Sequence, residues 1–368
     1  MTEDLINAGN DNKLTFPGKI AVITGTASQV KEDFHSAKQL VLKYGPDKII
    51  HVTHPENFMT EKNKMIEMFV KLAADREIKV LIINQAVPGT NAGVKKLKEL
   101  REDIFVVYCT VHEAVPEAAS LANLLLMNNE LGIGVEMVNQ ARKQGAKTFV
   151  HYSLPRHMDI LLKSMRRDLI KQECLKEGIN FVDVTALDPT GVAGVEGARK
   201  FIMEDVPRIV AKYGDNTAFF CTNCTLQAPL IKAIVDCHAI FLQPCCPSPY
   251  HGFPEALGIE MDEDFADLNY VISEACRIAA EKDMTDRLST WPVSTSMMYT
   301  NAAAEYAIMW INGEVPKTGI DSYILKDCMN AYITDVVGEE SNVYLKSYVE
   351  NGVTYDNFKL ILMSYLDF

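Results

Sequence analysis

Two series of alternating strand-like and helix-like segments follow one another along the 368-residue chain, and this repetition constrains its fold more than any other feature. In the first series the strand centres fall about 30 residues apart, which is the spacing of βαβ units. These centres are Ile20, Ile49, Val80 and Ile104. Because βαβ units build a parallel sheet with helices on both faces, the sequence predicts an α/β fold with two doubly wound parallel-sheet lobes.

The apolar patterns set the expected bounds of these elements. Strands are expected at 19–24, 48–53, 79–83, 104–108 and 122–127 in the first series, and at 148–150, 181–184, 218–221 and 239–242 in the second. Second-series helices are expected at 157–177, 195–213, 226–236 and 264–282, followed by an extended return at 291–296, a helix at 302–311 and a mixed tail. Pro207 predicts a kink, or a restart capped by Asp205, in the second of these helices. The expected domains are a flexible leader at 1–17, lobe one at 18–147 plus 293–319, and lobe two at 148–292 plus 320–368.

The stretch 148–158 opens the second series, where a short strand leads into an amphipathic helix. Ser153 is suited to cap this helix, and Pro155 is suited to its first turn. Arg156 and His157 then lie at the positive end of the helix dipole, where a cation is disfavoured unless an anion or a polar ligand approaches. We therefore predict that Arg156 supplies the main charged contact to a ligand, and an ion pair with Asp188 is the open alternative. The apolar stripe of the helix is Met158, Leu161, Leu162, Met165 and Leu169.

The composition narrows the classes of function. The net charge of −13 argues against nucleic-acid binding by this chain alone, because neutralising phosphates requires a basic face. No apolar run reaches membrane-spanning length, so no membrane insertion is expected. Residues 1–17 show no secretory signal, which predicts a cytoplasmic location, or an extracytoplasmic one if a leader has been removed. The nine cysteines lack regular disulfide spacing, which favours a reducing compartment.

Polar residues follow most of the expected strands. Ligands of open α/β sheets bind beyond the carboxyl ends of the strands, so these residues are candidates for a site in a cleft between the two lobes. Hydrogen-bonding groups with some aromatic area suit a small polar ligand, or an anionic one, although many of these residue types also occur in turns and caps. The candidates are Thr24, Thr26, His54, Asn57, Gln85, Thr110, His112, Asn128, Tyr152, Arg156, His157, Asp188, Asn223, Tyr250 and His251.

Four cysteines and a histidine gather after two consecutive strands of the second series. Cys221 and Cys224 form a C-x-x-C after one strand, while Cys245 and Cys246 follow the next strand, with His251 nearby. Neighbouring parallel strands would bring these groups together as a zinc site or a redox pair. The sequence lacks a second C-x-x-C or a histidine pair at zinc spacing, and buried cysteines commonly act as small hydrophobes. We therefore expect free thiols that line or underlie the cleft, with no metal and no cofactor, and keep the metal or redox role as the alternative.

The sequence contains no familiar catalytic motif. The glycines at Gly191, Gly194 and Gly197 do not form the dinucleotide pattern, residues 89–96 are not a P-loop, and no G-x-S-x-G occurs. The acidic run 262–264 precedes a helix and is interpreted as a solvated cap. Catalysis is therefore not expected.

The architecture resembles that of type I periplasmic binding proteins. Segments 85–90 (Gln-Ala-Val-Pro-Gly-Thr), 149–158 and 245–252 look more narrowly like those of a bacterial family of unknown function related to that fold, and the resemblance spans roughly residues 18–320. It implies two lobes joined by a multi-strand hinge that closes over a ligand. Members of the wider superfamily are transport receptors, sensors or, with an added DNA-binding head, repressors. This sequence lacks a visible lipoprotein signal and that head.

These observations together predict a non-catalytic small-molecule-binding protein, a solute receptor or sensor for a polar or anionic ligand. Two alternatives stay open at this point. One is a metal- or redox-active protein, or an enzyme, that uses the Cys221, Cys224, Cys245, Cys246 and His251 cluster. The other is the ligand-sensing subunit of a transcription regulator without its own DNA-binding domain. The sequence also leaves open a homodimer.

Overall fold

A computed structural model describes residues 15–261, 267–338 and 341–368, and these residues divide into two compact units. Unit one comprises residues 15–128 together with Ser296–Tyr332 and Val343–Ile361. Unit two comprises the described parts of Asn129–Thr295, Ile333–Asn342 and Leu362–Phe368. The chain thus passes from one unit to the other several times.

Unit one begins with five strands that alternate with helices. The elements are β1 (Lys19–Thr24), α1 (Lys31–Tyr44), β2 (Ile49–Thr53), α2 (Lys62–Ala74), β3 (Ile78–Ala86), α3 (Thr90–Leu100), β4 (Phe105–Val111), α4 (Val115–Leu121) and β5 (Leu124–Asn128). The strands pair in parallel in the order β5-β4-β3-β1-β2. The central strands β1 and β3 are buried over nearly their whole length, as expected for a sheet that helices cover on both faces.

Unit two repeats the alternation with a smaller sheet. The elements are α5 (Glu130–Lys143), β6 (Thr148–Ser153), α6 (Pro155–Met158), α7 (Leu161–Lys176), β7 (Asn180–Thr185), α8 (Gly194–Tyr213), β8 (Thr217–Cys221), α9 (Gln227–Asp236), β9 (Ile240–Phe241), α10 (Phe253–Leu257), α11 (Leu268–Glu281) and β10 (Ser289–Thr290). A single 3-10 turn, Cys224–Leu226, precedes α9. The sheet is parallel in the order β7-β6-β8-β9, and β6 is buried at every residue.

The last part of the chain contributes to both units. Its elements are α12 (Thr295–Asn312), α13 (Ser322–Val337), β11 (Val343–Glu350), β12 (Val353–Met363) and β13 (Leu366–Asp367). In unit one, β12 extends the sheet by pairing in parallel with β5, with Phe358 opposite Leu125, and β11 lies beside β12. In unit two, β13 pairs antiparallel with β10, and Phe368 packs edge-on against Phe253 with ring centroids 4.8 Å apart.

The α/β class with doubly wound parallel sheets is confirmed, but the domain bounds differ from those expected. The sequence placed the first crossing at residue 147, whereas the chain enters unit two at Asn129, so that α5 packs with α7 in unit two. The tail was expected in lobe two. Most of its strands belong to unit one instead, because β12 extends the unit-one sheet beside β5. Residues 1–14 of the leader expected at 1–17 lie outside the described residues. Its last part is ordered, since Phe16 is buried against Tyr44 and Lys48 Nζ donates to the Phe16 carbonyl at 2.8 Å.

The single helix expected at 157–177 is wrong, because the chain forms α6 and then a separate α7. Leu154, rather than Ser153, precedes the first turn of α6. The expected apolar stripe is also rotated, since Leu161 is 73% exposed and Met165 is 46% exposed. The buried face of α7 instead consists of Arg166, Ile170 and Cys174. Arg166 is accommodated there because it pairs with Glu130 and its guanidinium lies 5.2 Å from the centroid of the Phe220 ring.

Other local expectations need smaller corrections. Helix α8 continues through Pro207 without a restart, and Asp205 does not cap it, because the Asp205 carboxylate accepts from Tyr152 Oη at 2.8 Å and from Arg208. Helix α4 was not expected from the sequence. An extended return was expected at 291–296. The structure has the short strand β10 just before this range, and α12 begins within it at Thr295. The acidic run 262–264 lies outside the described residues.

Helices α2 and α3 approach closely because α3 has a glycine at the contact. A Cβ at Gly93 would lie 2.1 Å from the ring of Phe69, far inside van der Waals contact. Both residues are buried in the unit-one core. The helix tolerates the lower helical propensity of glycine because the absent side chain lets the two helices pack.

Substituting Gly93 with alanine should therefore destabilise the protein even though alanine favours helices by about 1 kcal/mol. We expect a net loss of about 1–3 kcal/mol in the free energy of unfolding, since the Phe69 ring must leave its position. Urea denaturation would measure this loss. The exposed Lys95→Ala change on the same helix is the control and should be neutral, and a Gly93→Ala variant as stable as wild type would contradict the packing argument.

Candidate functional site

In unit one, three strand ends meet around Gln85, the penultimate residue of β3. His54, which follows β2, donates its Nε2 hydrogen to the Gln85 carbonyl at 2.9 Å. His112, which follows β4, lies with Nε2 at 3.1 Å from the Gln85 side-chain oxygen. Burial lowers the pKa of His54 to about 4 and also lowers the pKa of His112, so both imidazoles are neutral near pH 7. This arrangement, which we call the Gln85 cluster (His54, Gln85, His112 and, below, Asp33), offers uncharged hydrogen-bonding groups.

Asp33 on α1 adds a buried carboxyl to this cluster. Its side chain is 4% exposed and hydrogen-bonds with the side chains of Ser296 and Gln85. Burial, assisted by the nearby Glu32 charge, raises the pKa of Asp33 to about 7 against the opposing effect of those hydrogen bonds. Near neutral pH this carboxyl therefore both accepts and donates hydrogen bonds.

Two buried atoms of the Gln85 cluster have no hydrogen-bond partner among the described residues. They are Oδ2 of Asp33 and Nδ1 of His54, which is an acceptor because Nε2 carries the ring hydrogen. Buried polar atoms without a partner are uncommon in folded proteins, since each costs about 1–3 kcal/mol. The cluster thus has free hydrogen-bonding capacity next to Gln85 and His112, which are half-buried and exposed respectively.

Neighbouring polar residues hold the cluster in place. Asn84 donates from Nδ2 to the Ser296 carbonyl at 3.0 Å and to Thr300 Oγ1 at 2.8 Å, which fixes the end of β3 against the start of α12. Thr24 Oγ1 lies 2.8 Å from His51 Nε2 and donates to the Gly25 carbonyl.

The remaining unit-one candidates are used locally. Thr26 Oγ1 lies 2.9 Å from Ser28 Oγ, and the Asn57 carbonyl closes a turn onto Thr60. Thr110 adopts the left-handed region with φ of 52°. Asn128 Oδ1 accepts from the hydroxyl of Tyr299.

The structure brings together His54, Gln85 and His112 from the predicted set and adds Asp33, which the sequence analysis missed. A signal for Asp33 was present. It falls on the buried stripe of α1 with Ala37, Leu40 and Tyr44, at positions where a carboxylate is out of place unless it has a function or a partner.

In unit two, Arg156 pairs with Asp188. Its Nε donates to Oδ2 of Asp188 at 2.6 Å, and Oδ1 of the same carboxylate accepts from the Thr190 amide and hydroxyl. The Arg156 hydrogen bond lowers the pKa of Asp188 below its usual range. Because α6 has only four residues, the dipole argument for Arg156 does not apply. The ligand contact through Arg156 stays a prediction, and the ion pair left open by the sequence is present.

Three other unit-two candidates are engaged in internal bonds. His157 is buried beside Thr222, with Nδ1 at 2.9 Å from Oγ1, and burial lowers its pKa to about 4. Tyr152 is fully buried in the core with its hydroxyl on Asp205, so it is placed away from any solvent-facing site. Asn223 accepts from the Thr225 amide at 3.0 Å and thereby caps the 3-10 turn.

The cysteine candidates separate into one core residue and one cluster. All nine cysteines are free thiols. Cys221 lies in the hydrophobic core, where burial raises its pKa to about 12, so it is set apart from the other three cysteines. We call Cys224, Cys245, Cys246 and His251 the thiol cluster. Its Sγ atoms are 3.3 Å apart between Cys224 and Cys245 and 4.0 Å apart between Cys245 and Cys246.

His251 is held close to these sulfurs, and its Nδ1 lies 3.1 Å from the Cys246 carbonyl. Burial alone would lower its pKa, but hydrogen bonds with Cys224 and Cys246 outweigh burial and raise it to about 11. Hydrogen bonds from Cys245 and Cys246 lower the pKa of Cys224. The cluster therefore favours a thiolate at Cys224 beside a charged imidazole. Tyr250, the last unit-two candidate, precedes His251, and its amide donates to Ser248 Oγ at 3.2 Å.

Among residues 15–261, 267–338 and 341–368, none of the helices is both long and apolar enough to cross a membrane.

Comparison with known families decides the relationship of the chain. Residues 18–289 match the family described as "Protein of unknown function (DUF3798)". The chain belongs to this family. Two uncharacterized proteins of Treponema pallidum (strain Nichols) are each 28% identical to it, over 192 residues (52% of this chain, 87% of the relative) and over 179 residues (47% and 81%).

Solved structures confirm the type I periplasmic-binding-protein fold within the family. A candidate transcriptional regulator from Clostridium difficile 630 superposes with a TM-score of 0.86 at 21% identity, covering 96% of this chain and 99% of that one. A sugar ABC transporter protein from Actinomyces odontolyticus ATCC 17982 gives 0.55 at 11% identity, with 83% and 86% covered. The substrate-binding protein of a sugar ABC transport system from Bordetella parapertussis 12822 gives 0.53 at 10%, with 98% and 92% covered. At these identities the likeness establishes the fold alone.

The buried Asp33 should make stability depend on pH in a defined direction. In the unfolded chain this carboxyl loses its proton near the ordinary aspartate pKa of 3.8, whereas the folded one keeps it to about 7, so the folded state loses stability as pH rises through this window. Relative to Asp33→Asn, the wild-type free energy of unfolding should fall by about 2–3 kcal/mol between about pH 5 and about pH 8.

Denaturant titrations at the two pH values would measure this difference. Asp103→Asn is the matched control, because hydrogen bonding to Arg101 lowers the Asp103 pKa to about 2, and its titration lies below the window. A wild type and an Asp33→Asn variant with parallel pH profiles would show that Asp33 is not buried as a neutral acid.

Proposed function

We propose that this protein is a non-catalytic receptor or sensor that binds a small polar ligand at the carboxyl edge of the unit-one sheet. The observation that carries the proposal is the Gln85 cluster, where a carboxyl and two neutral imidazoles converge on one strand end with hydrogen-bonding atoms left over. In open α/β sheets, this edge is where ligands bind.

The chemistry of the cluster favours hydroxyl groups as partners. Neutral imidazoles accept or donate one hydrogen bond each, the Gln85 amide does both, and Asp33 is close to half-protonated near pH 7. A sugar or polyol presents hydroxyls that donate and accept in the same way, whereas an anion would meet the partly charged Asp33. We therefore place neutral polyhydroxylated compounds first. The descriptions of the two sugar transport proteins with the same fold are consistent with this order.

An anionic ligand is the second form of the same proposal, and it depends on Arg156. The guanidinium is about half exposed and is already neutralised by Asp188, so an anion would have to compete with a carboxylate held by four hydrogen bonds. Arg156→Met separates the two forms. The substitution should weaken the binding of an anionic ligand by about 2–5 kcal/mol and leave the binding of a neutral ligand unaffected.

The absence of catalysis is part of the proposal. The sequence has no nucleophile elbow, P-loop or dinucleotide motif, and the Gln85 cluster contains no side chain paired as a nucleophile with a base. A ligand that is bound should therefore be recovered unchanged after prolonged incubation, and conversion of the bound compound into a product would contradict the receptor proposal.

A second candidate is a ligand-sensing subunit of a transcription regulator. It is favoured by the description of the similar Clostridium difficile protein and disfavoured, as a direct DNA binder, by the net charge of −13. The chain alone should leave the electrophoretic mobility of DNA fragments unchanged at physiological salt, so this candidate requires a separate DNA-binding partner.

Thermal denaturation in the presence of sugars, polyols, nucleosides, amino acids and small acids tests the main proposal. A ligand that binds only the native state at about 100 times its Kd adds about 2.7 kcal/mol to stability, which raises the melting temperature with ligand concentration. For the compound that gives this shift, His112→Asn should weaken binding roughly 5- to 100-fold, because the ligand loses one hydrogen bond.

Two features make this variant informative. His112 is exposed and its side chain makes one hydrogen bond among the described residues, so the variant should melt close to wild type without ligand. His238→Asn is the matched control, since His238 is an exposed histidine in unit two with a left-handed backbone that asparagine tolerates. Equal affinity of wild type and His112→Asn for the compound would place its site elsewhere.

A further inference from the structure

The thiol cluster lies at the carboxyl ends of two adjacent parallel strands of unit two. β8 and β9 pair in parallel, with Phe219 opposite Phe241, so the loops that follow them leave the sheet at the same edge. The first loop carries Cys224 and the second carries Cys245, Cys246 and His251. Residues from two loops separated by a whole helix are thereby placed side by side.

The first loop is fixed by the fully buried Gln227 at the start of α9. Its Nε2 donates to the Cys221 carbonyl at 3.0 Å and to the Asn223 carbonyl at 2.6 Å. These two bonds hold the backbone on either side of Thr222 and set the position from which Cys224 projects. The side chain of Asn223 adds a cap to the turn that begins at Cys224.

The second loop is packed onto the same glutamine. Gly252, next to His251, has φ of 87°, and a Cβ there would lie 2.8 Å from Cβ of Gln227. Only glycine adopts this positive φ readily and also leaves room for Gln227 at this distance. Because one residue anchors the first loop and contacts the second, the four donors of the cluster are positioned by the backbone rather than by flexible side chains.

The distances fit the geometry of a tetrahedral soft-metal site. The ligand atoms of Cys224, Cys245 and His251 all lie within 4.8 Å of one another. With Zn–S bonds of about 2.3 Å, the edge of a tetrahedron is about 3.8 Å. The two sulfur–sulfur distances, 3.3 Å and 4.0 Å, lie on either side of this edge. Closing onto a metal would bring the donor atoms, which lie within 4.8 Å of one another, together by about 1 Å or less.

The histidine is oriented for the same role. Once the charged ring has lost its Nε2 proton to make way for a metal, Nδ1 can still donate to the Cys246 carbonyl, and the lone pair then lies on Nε2. Metal-binding histidines are commonly held in this way, because a carbonyl on one nitrogen fixes the tautomer and directs the other nitrogen to the metal.

We propose that Cys224, Cys245 and His251 form a Zn²⁺ site, with the sulfur of Cys246 as the nearest donor for the fourth position. Two or three thiolates and an imidazole are the donor set of zinc sites of the Cys₂His and Cys₃His types. Binding of the ion releases to solvent the Nε2 proton of the charged His251 ring and the proton of each ligating cysteine that is still a thiol. The proposed zinc ligands all belong to unit two, whereas the residues of the Gln85 cluster belong to unit one.

Cobalt titration of the reduced full-length protein tests this proposal without any organic ligand. After removal of metals by chelation and reduction by a phosphine, added Co²⁺ should give a saturating thiolate-to-cobalt charge-transfer band at one equivalent per chain. Zn²⁺ should abolish that band. Cys224→Ser, Cys245→Ser and His251→Gln should each weaken Co²⁺ binding by at least about tenfold.

Cys237→Ser is the matched control, because Cys237 is a half-buried free thiol of the same unit outside the cluster. It should titrate like wild type, and far-ultraviolet circular dichroism should show that every variant is folded. In a second measurement, Zn²⁺ should slow alkylation of Cys224 and Cys245 at least about tenfold while Cys237 reacts at its original rate.

Several outcomes would overturn the proposal. They are the absence of a saturable band, a band that survives in Cys224→Ser or Cys245→Ser, and alkylation rates that zinc leaves unchanged. A disulfide between Cys224 and Cys245 that persists under the reducing conditions, with no metal bound, would assign the cluster to redox chemistry instead. None of these results depends on whether a ligand binds the Gln85 cluster.

Discussion

Burial of the parallel strands on both faces is the constraint on which both units depend. The central strands β1, β3, β6 and β8 are buried along almost their full length, so their faces are occupied by packing against helices. Polar side chains therefore gather mainly where the strands end, although β6 also buries His151 in mid-strand, where it lies beside Asp183. The same constraint therefore stabilises the sheets and determines where reactive or hydrogen-bonding groups are found.

The two units use this edge in different chemical ways. In unit one the groups at the strand ends are the neutral amide of Gln85 and the neutral imidazoles of His54 and His112, and α1 adds the protonatable carboxyl of Asp33. In unit two they are soft, with three thiols and an imidazole fixed by Gln227 and Gly252. One edge is suited to hydroxyl-bearing molecules and the other to a thiophilic metal, which is why we assign them separate functions.

The sequence predicted the elements whose signal is repetitive and missed those that depend on partners. The strands of both series and their parallel order follow from apolar runs spaced like βαβ units. The break between α6 and α7 could not be predicted, because the buried face of α7 includes Arg166. An apolar pattern does not place an arginine on a buried face. Its burial is explained only by its partners Glu130 and Phe220. Within the site, His54, Gln85 and His112 were found because they follow strands. Asp33 was missed because it lies on a helix rather than after a strand, although its place on the apolar stripe of α1 was a signal for it.

The contribution of residues 343–368 to both units has a consequence for how the protein is made. Until the last part of the chain has been synthesised, β12 cannot pair with the apolar strand β5 of unit one, and Phe368 cannot pack in the core of unit two. At about 5–20 residues per second, translation from the end of β5 to the start of β12 takes roughly 11–45 s. During that time strand β5 has no partner on the edge that β12 later occupies, so the unit-one sheet is completed only at the end of synthesis.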